Sequence, residues 1–304
     1  MNFNHLTRYQ HQIGKDISGA TTVEEALNLS GLNWLVEQRP VYYPVGGELV
    51  PLNDNFFNVR TNDDRVLGMV GDRYQICQNS EAFDFVDSLL GDGAIQFTRA
   101  GQFRGGRAVW LQAKITGYFN ILGDEIDQYI LFVNSHDGTG SIKVLITPTR
   151  IICSNALNVA IRNSESKWST VHSGDIQGKL LAAQHSLILA NSYLDALTTK
   201  AEELNEIKLS TFDVDDILLQ LYPDGDTERS IANAVESRQL IRSIYDEKPD
   251  LQHMPQSGWR LLNAVSDSLH AEPRRNTNTY DERLFEAISN GHPLLNRTAQ
   301  LLAA

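Results

Sequence analysis

Ser135, His136 and Asp137 are adjacent in the sequence and are the residue types of a hydrolytic triad. They open the segment NSHDGTGSIKVLITPTRIICSNAL, which covers residues 134–157. Neighbouring residues on a β-strand point to opposite faces, whereas a triad needs three side chains that converge. The tripeptide alone therefore does not predict a catalytic centre. Asp137-Gly138 fits the bend of a hairpin instead, because Asp tolerates a positive φ and Gly favours it.

Metal and phosphate sites are not predicted from the motifs either. His136 and Asp137 are metal-ligand types, but the sequence has no HExxH motif, no paired cysteines and no second spaced histidine near them. DGTGSIK lacks the GxxxxGK[ST] spacing, and GDIQGKL is one residue short and ends in Leu where a hydroxyl is needed. No GxGxxG opens a helix after a strand. We therefore expect neither a metal nor a cofactor.

Basic side chains are concentrated in the centre of an acidic chain, whose formal net charge is -12. Residues 1–96 sum to -7, residues 97–180 to +3 and residues 181–304 to -8. Phosphate binding depends on clustered Lys and Arg, so the centre is where a nucleic acid would bind. The candidate nucleic-acid-binding residues are Arg104, Arg107, Ser135, His136, Lys143, Arg150, Asn155, Arg162 and Lys167.

Two interpretations of this basic and polar set stay open. In the first, the six basic residues contact phosphates, Ser135, His136 and Asn155 are their hydrogen-bonding neighbours, and an aromatic ring such as Phe103 or Trp168 stacks on bases. In the second, the basic residues are the ordinary solvated face of an antiparallel sheet.

The composition is that of a soluble globular protein, with 41% apolar and 21% charged residues among 304. No run approaches the roughly 18 to 20 apolar residues of a membrane span, and the first residues lack the apolar stretch of a signal peptide. A cytoplasmic protein with no membrane partner is expected. The two cysteines, Cys77 and Cys153, are too few for a disulfide framework and are expected to be buried, inert thiols.

The first 165 residues predict an α+β domain. TTVEEALNLSGLNW is typical of a short helix, with Thr21 or Thr22 as its N-cap and Gly31 after its last turn. Dense Pro and Gly between residues 40 and 71 indicate strands and turns. A helix capped by Ser80 follows, then two hairpins that turn at RGGR and at DGTG, and then a helix from ICSNALNVAI onward. We expect a strongly curved antiparallel sheet.

The remaining residues, 166–304, predict a helical region packed on that sheet. IQGKLLAAQHSLILANSYLDALTTKAEELNEIKL keeps apolar residues at intervals of three and four without a proline, which is typical of a long amphipathic helix. Shorter helices are expected around TFDVDDILLQLY, SIANAVESRQLIRSIYDE and SGWRLLNAVSDSLHAE.

Four segments together resemble a known family: EEALNLSGLNWLVEQRPVYY, VGDRYQICQNSEAFDFVDSLL, NSHDGTGSIKV followed by TPTRIICSNALNVAI, and SGWRLLNAVSDSLHAE. The chain is similar to the phage/plasmid-like proteins of unknown function (domain of unknown function 932) over nearly its whole length. That resemblance implies a bacterial cytoplasm and a role on a mobile element. A fainter similarity of element order, over residues 66–165, links the chain to single-strand annealing proteins of the Rad and phage Sak type, whose rings hold single-stranded DNA.

These observations predict a non-enzymatic mobile-element protein that binds single-stranded DNA in recombination or replication, as a homo-oligomer that could form a ring. The alternative is a phage factor that binds a host protein through its acidic surfaces. A third hypothesis, an enzyme that acts on nucleic acid near His136 and Asp137, lacks a second acid, base or metal ligand.

Overall fold

The computed structural model describes residues 14–88, 95–148, 167–188, 191–271 and 293–303. These ranges form two antiparallel sheets and a mainly helical C-terminal half, which confirms the predicted α+β class. The described strands are β1 (Lys15–Asp16), β2 (Val36–Val45), β3 (Glu48–Arg60), β4 (Arg65–Gly71), β5 (Ile95–Phe103), β6 (Ala108–Ile121), β7 (Asp124–Ser135), β8 (Ile142–Pro148) and β9 (Lys167–Thr170). The described helices are α1 (Val23–Ser30), α2 (Asn79–Ser88), α3 (Ile176–Ile188), α4 (Asn191–Glu206), α5 (Thr211–Leu221), α6 (Glu228–Glu247), α7 (Gly258–Ala271) and α8 (Pro293–Leu302).

The larger sheet, called the main sheet below, has the strand order β1-β5-β6-β7-β8-β9. Hairpins join β5 to β6, β6 to β7 and β7 to β8, including the two that the sequence predicts at RGGR and DGTG. Apolar residues occupy both faces of its central strands, since Leu111 and Phe132 belong to the main core while Trp110 and Val133 belong to a smaller cluster. The sixth strand, β9, begins just after the predicted boundary at residue 165.

The second sheet, called the small sheet below, has the order β2-β3-β4. β4 pairs with only the Asn55–Arg60 part of β3, so β2 and β3 continue beyond it as a two-stranded hairpin. We call residues 41–52 the hairpin arm. Its turn is Gly46-Gly47, and both glycines have positive φ (58° and 93°), as a tight type I′ turn requires.

Helix ends follow local sequence signals closely. Thr22 caps α1 by accepting a hydrogen bond from the Glu25 N–H, and Gly31 ends the helix with φ 74°, as predicted. α2 begins at Asn79, one residue before the predicted cap Ser80. The long apolar stretch after Asp175 forms α3 and α4, and residues 189–190 between them lie outside the described ranges. The predicted helix at ICSNALNVAI also lies outside them.

A buried ion pair stabilises the helical half. Lys248 Nζ lies 2.6 Å from Asp267 Oδ2 and 3.0 Å from Asp250 Oδ2, and the side chains of Lys248 and Asp267 are about nine-tenths buried. Next to it, Arg260 donates hydrogen bonds to the carbonyls of Tyr245 and Met254. The fold thus has a second polar centre, which is separate from the one described next.

Candidate nucleic-acid interface

The small sheet packs against the turns at one end of the main sheet. Gly68 on β4 lies directly against the bend after β7, because a Cβ on Gly68 would be 2.5 Å from Cα and O of Asp137. Gly138 in the same bend has φ 78° and lies next to Val70. Only glycine at position 68 permits this approach of two backbones.

The β5–β6 turn brings four arginines together. Arg104 and Arg107 are exposed on either side of Gly105-Gly106, and the guanidinium groups of Arg60 and Arg65 from the small sheet lie against these two glycines. We call Arg60, Arg65, Arg104 and Arg107 the arginine rim. Arg104 has φ 50°, an unusual backbone conformation for a residue other than glycine. The turn therefore holds Arg104 in a conformation of higher free energy.

Carboxylates balance part of the charge of the arginine rim. Arg60 donates hydrogen bonds to both carboxylate oxygens of Asp63. Burial alone would raise the pKa of Asp137, but hydrogen bonds from Ser135 and Thr139 and the charge of Arg104 outweigh it and lower that pKa. Asp137 is therefore ionised at neutral pH and offsets one rim charge.

A buried polar junction lies beneath the rim, where β3, β7 and the segment before α2 meet. His136 is fully buried, and its Nε2 lies 3.0 Å from Oδ1 of Asn79. Asn134 donates to the carbonyl of Cys77 (2.8 Å), and Asn58 donates to the carbonyl of His136 (2.7 Å). These bonds tie the small sheet and α2 to the end of β7.

Three more aromatic rings, those of Tyr74, His172 and Trp34, complete the junction. Tyr74 donates a hydrogen bond to the Ser135 carbonyl (2.7 Å) and stacks on His172 with ring centroids 4.6 Å apart. The ring of Trp34 lies edge-on to His136, with ring centroids 5.4 Å apart, and the guanidinium of Arg60 lies over the Trp34 ring at 5.4 Å from its centroid. Trp34 therefore connects the arginine rim to the buried junction.

The ionisable groups of the junction are held in their neutral forms. Burial, with a smaller effect of His172, lowers the pKa of His136 from 6.5 to about 3. Burial likewise raises the pKa of the Tyr74 hydroxyl and of the Cys77 thiol. A general base works best with a pKa near the working pH, and a reactive thiol needs a lowered one. The junction therefore suits a structural role.

Ser135, His136 and Asp137 do not form a triad in this arrangement. The Ser135 hydroxyl donates to Asp137 Oδ1 (2.6 Å), while His136 points away from both, toward Asn79. Ser135 and His136 were predicted to contact bound DNA, but both are buried, with at most 2% of either residue exposed. They support the exposed turn from beneath, and their side chains do not reach the surface.

The other predicted residues are placed as follows. Arg104 and Arg107 are at the β5–β6 turn, and Lys143 is half-buried as the second residue of β8. Lys167 begins β9. Arg150, Asn155 and Arg162 lie outside the described residues, so their predicted roles stay predictions.

Four residues of the site were not predicted from the sequence: Arg60, Arg65 and Asn58 of the small sheet, and Trp34, which precedes it. For Asn58, Arg60 and Arg65 the only local signal is a polar or basic residue in an otherwise strand-like run. Asn58 follows two phenylalanines, and its burial could have been inferred only from the pairing of β3 with β4. The residues that the small sheet adds to the candidate site reach it through packing between segments that are distant in the sequence.

No metal centre is found in the part of the chain that the structure describes. Within it, no three His, Cys, Asp or Glu side chains come together as metal ligands. His136 Nδ1 and His172 Nε2 are buried without a hydrogen-bond partner among the described residues, but two nitrogens are fewer than the three or four protein ligands of a metal site. None of the described helices has both the length and the apolarity needed to cross a bilayer.

The described residues define an α+β protein in which two antiparallel sheets meet over a buried polar junction and share a rim of arginines. The family model called Domain of unknown function (DUF932) matches residues 66–289, which is more than half of the chain, so the protein belongs to this family. Membership of domain of unknown function 932, which the sequence predicts, is thereby confirmed, whereas the phage or plasmid role and the similarity to annealing proteins stay predictions. No curated protein and no solved structure matches the chain. Asn58, Arg60 and the hairpin arm lie before the matched range.

Proposed function

We propose that this protein binds single-stranded DNA without catalysing a reaction, as a cytoplasmic protein of a phage- or plasmid-type element that acts in recombination or replication. The observation that carries the proposal is the arginine rim. Two arginines of the small sheet and two of the main sheet meet at one turn, and fixed clusters of guanidinium groups bind phosphate oxygens well.

The charge distribution of the chain supports binding at the rim. The excess negative charge of the chain opposes non-specific binding elsewhere on the surface. Binding is then restricted to the basic centre.

A titration of a short labelled single-stranded oligonucleotide tests this function. The unmodified chain should bind, and Arg65→Glu, Arg104→Glu and Arg107→Glu should each weaken binding at least several-fold. Arg297→Glu is the matched control, because Arg297 is exposed on α8 in the helical half, and it should bind like the unmodified chain. Absence of binding by the unmodified chain at low salt would overturn the proposal. The same assay tests Arg150, Arg162 and Lys167.

One observation favours the alternative, a partner protein held by acidic surfaces. A groove of about 490 Å³ lies between α5 and α6, with Leu218 and Leu219 in its wall. Asp215, Asp246 and Glu247 line it together with Arg238 and Arg242, and Arg242 pairs with both aspartates. An apolar groove with charges of both signs around it, one carboxylate in excess, suits an amphipathic helix. If the oligonucleotide does not bind, a host protein that contacts this groove becomes the leading function, and Leu219→Arg should abolish its binding.

A further inference from the structure

The hairpin arm exposes an unusual amount of apolar surface. Five large apolar side chains of the arm are between 37% and 71% exposed: Tyr42, Tyr43, Val45, Leu49 and Leu52. Glu48 is the only charged residue between positions 40 and 52. Contiguous exposed apolar patches on a soluble chain mark interaction sites, whereas scattered apolar residues do not.

The apolar residues cover both faces of the arm. Cross-strand partners share a face, so Tyr43↔Val50 and Val41↔Leu52 lie on one face together with Val45. We call this face A. Tyr42↔Pro51 and Pro44↔Leu49 lie on the opposite face, which we call face B. A hairpin that packed on its own domain would bury one of the two faces, but each of these faces keeps large side chains exposed.

The edges of the arm are less suited to binding than its faces. Pro44 on β2 and Pro51 on β3 lack the backbone N–H that an added strand would need. These prolines block strand addition along the arm. A partner must therefore pack on face A or face B.

We propose that the hairpin arm joins copies of this chain, with face A of one copy packed on face B of the next. A second copy of the chain fits these faces because the arm is almost uncharged. Contact between two arms therefore does not bring the strong negative charges of the two chains together. Each face offers on the order of 300 Å² of apolar surface, and a single contact between two faces covers roughly 600 Å², which is small for a stable isolated dimer. Using both faces of every arm doubles the buried area per copy.

A contact between two different faces is heterologous, and such contacts close into rings when the rotation between copies allows it. This inference deepens the proposed function, on which it rests for the role of the assembly. The contact between arms does not depend on DNA and can be tested without it.

The test is the solution mass of the full chain, measured by light scattering over a range of concentrations. The unmodified chain should form a species several times heavier than the 34.0 kDa monomer. Tyr43→Glu with Val45→Glu disrupts face A, and Tyr42→Glu with Leu49→Glu disrupts face B, and each double variant should be a monomer. Phe212→Glu is the matched control, since Phe212 is 85% exposed on α5 and outside the arm, and this variant should keep the mass of the unmodified chain.

Three results would overturn the inference. They are a monomeric unmodified chain at high concentration, an unchanged mass in both double variants, and loss of mass in only one of them, which would indicate a symmetric contact through a single face. Because the arm projects beyond β4, the substitutions should leave the fold intact, and an unchanged thermal midpoint checks this.

The failure of this inference is distinguishable from failure of the proposed function. If the arms do not join copies but the rim binds DNA, the monomer still binds the oligonucleotide and Arg104→Glu still weakens that binding. If the rim does not bind DNA, the heavier species is present without oligonucleotide binding. If both double variants keep their mass but bind the oligonucleotide less tightly, the arm is a base-stacking surface and the contact between copies is overturned.

Discussion

Oδ1 of Asn79, the first residue of α2, lies 3.0 Å from Nε2 of His136, which directly follows β7, and both residues are buried. The Asn79 amide nitrogen donates to the Leu32 carbonyl, so its oxygen is the acceptor and His136 Nε2 must carry the proton. The neutral tautomer of His136 is thereby set. The bond joins the start of a helix to the end of a central strand.

Stability should fall as the pH is lowered through the range set by His136. The folded-state pKa is about 3 and the ordinary value is 6.5, so between these values the unfolded chain binds a proton that the folded chain excludes. Proton binding by the unfolded chain therefore has almost no effect on stability above pH 6.5, and it progressively lowers the free energy of unfolding below that pH. At pH 5.5 the free energy of unfolding should be roughly 1 kcal/mol lower than at pH 7.5 from His136 alone.

Urea unfolding of the unmodified chain and of His136→Gln at the two pH values checks this expectation. The variant should be less stable at pH 7.5, because it loses a well-packed ring, yet it should lose less stability on acidification. His172 also has a pKa lowered by burial, so some dependence on pH remains. An equal loss in both proteins would contradict the assignment to His136.

Gly68→Ala should destabilise the contact between the two sheets. The new Cβ would lie 2.5 Å from backbone atoms of Asp137, which cannot rotate away as a side chain can. A forced backbone shift of this kind costs about 1–3 kcal/mol. Gly71→Ala on the same strand is the control, since its Cβ would have 3.9 Å to its nearest neighbour, the Asp54 carbonyl oxygen. If the thermal midpoints of both variants fell equally, the close approach of Gly68 to Asp137 would not contribute to stability.

Substituting the two turn arginines by glycine should separate stability from DNA binding. Arg104 has φ 50° and Arg107 has φ -63°, so glycine removes an unfavourable conformation at the first position only. Arg104→Gly should stabilise the fold by about 1 kcal/mol and Arg107→Gly should destabilise it by a similar amount. Both should weaken oligonucleotide binding.

The salt dependence of that binding supplies a second measure. If each arginine contacts one phosphate, each substitution should reduce the slope of log K against log salt by about 0.7. A slope that does not change would mean that the rim acts on folding alone.

Removing the carboxylate of Asp267 should strongly destabilise the helical half. Burial alone would lower the pKa of Lys248, but the carboxylates of Asp267 and Asp250 raise it, so the ammonium stays charged inside the protein. Asp267→Ala should cost about 3 kcal/mol, the lower end of the range for breaking a buried ion pair, because Asp250 still lies 3.0 Å from the ammonium. Asp250 has a side chain that is 48% exposed, and Asp250→Ala should cost less than about 1 kcal/mol. Chemical denaturation measures both, and similar losses would argue against this division of roles.

Features with a local cause could be predicted from the sequence. Thr22 and Gly31 mark the ends of α1, and DGTG marks the β7–β8 turn, because a cap or turn is determined by a few neighbouring residues. The candidate site was predicted only in part. Arg104 and Arg107 stand out as basic residues at a glycine turn, but nothing near Arg65 in the sequence places it against that turn.

Burial was the other property that sequence patterns did not reveal. Ser135 and His136 look like polar residues at the exposed end of a hairpin. They are enclosed because Tyr74 and Asn58, which are some sixty to eighty positions away, donate to the backbone carbonyls of these two residues. The burial of these two residues depends on how the two sheets pack, and the periodicity of residues within one strand does not predict it.

The guanidinium of Arg60 lies over the Trp34 ring, and Trp34 lies edge-on to His136. Trp34 can therefore serve as an intrinsic fluorescent reporter of the rim. Indole emission responds to a nearby cation, and Trp34 is the tryptophan that contacts a rim arginine. A ligand that draws the Arg60 guanidinium away from the ring would change the fluorescence of this one indole. Occupancy of the rim could then be followed in the unlabelled protein, and Trp34→Phe would remove the signal.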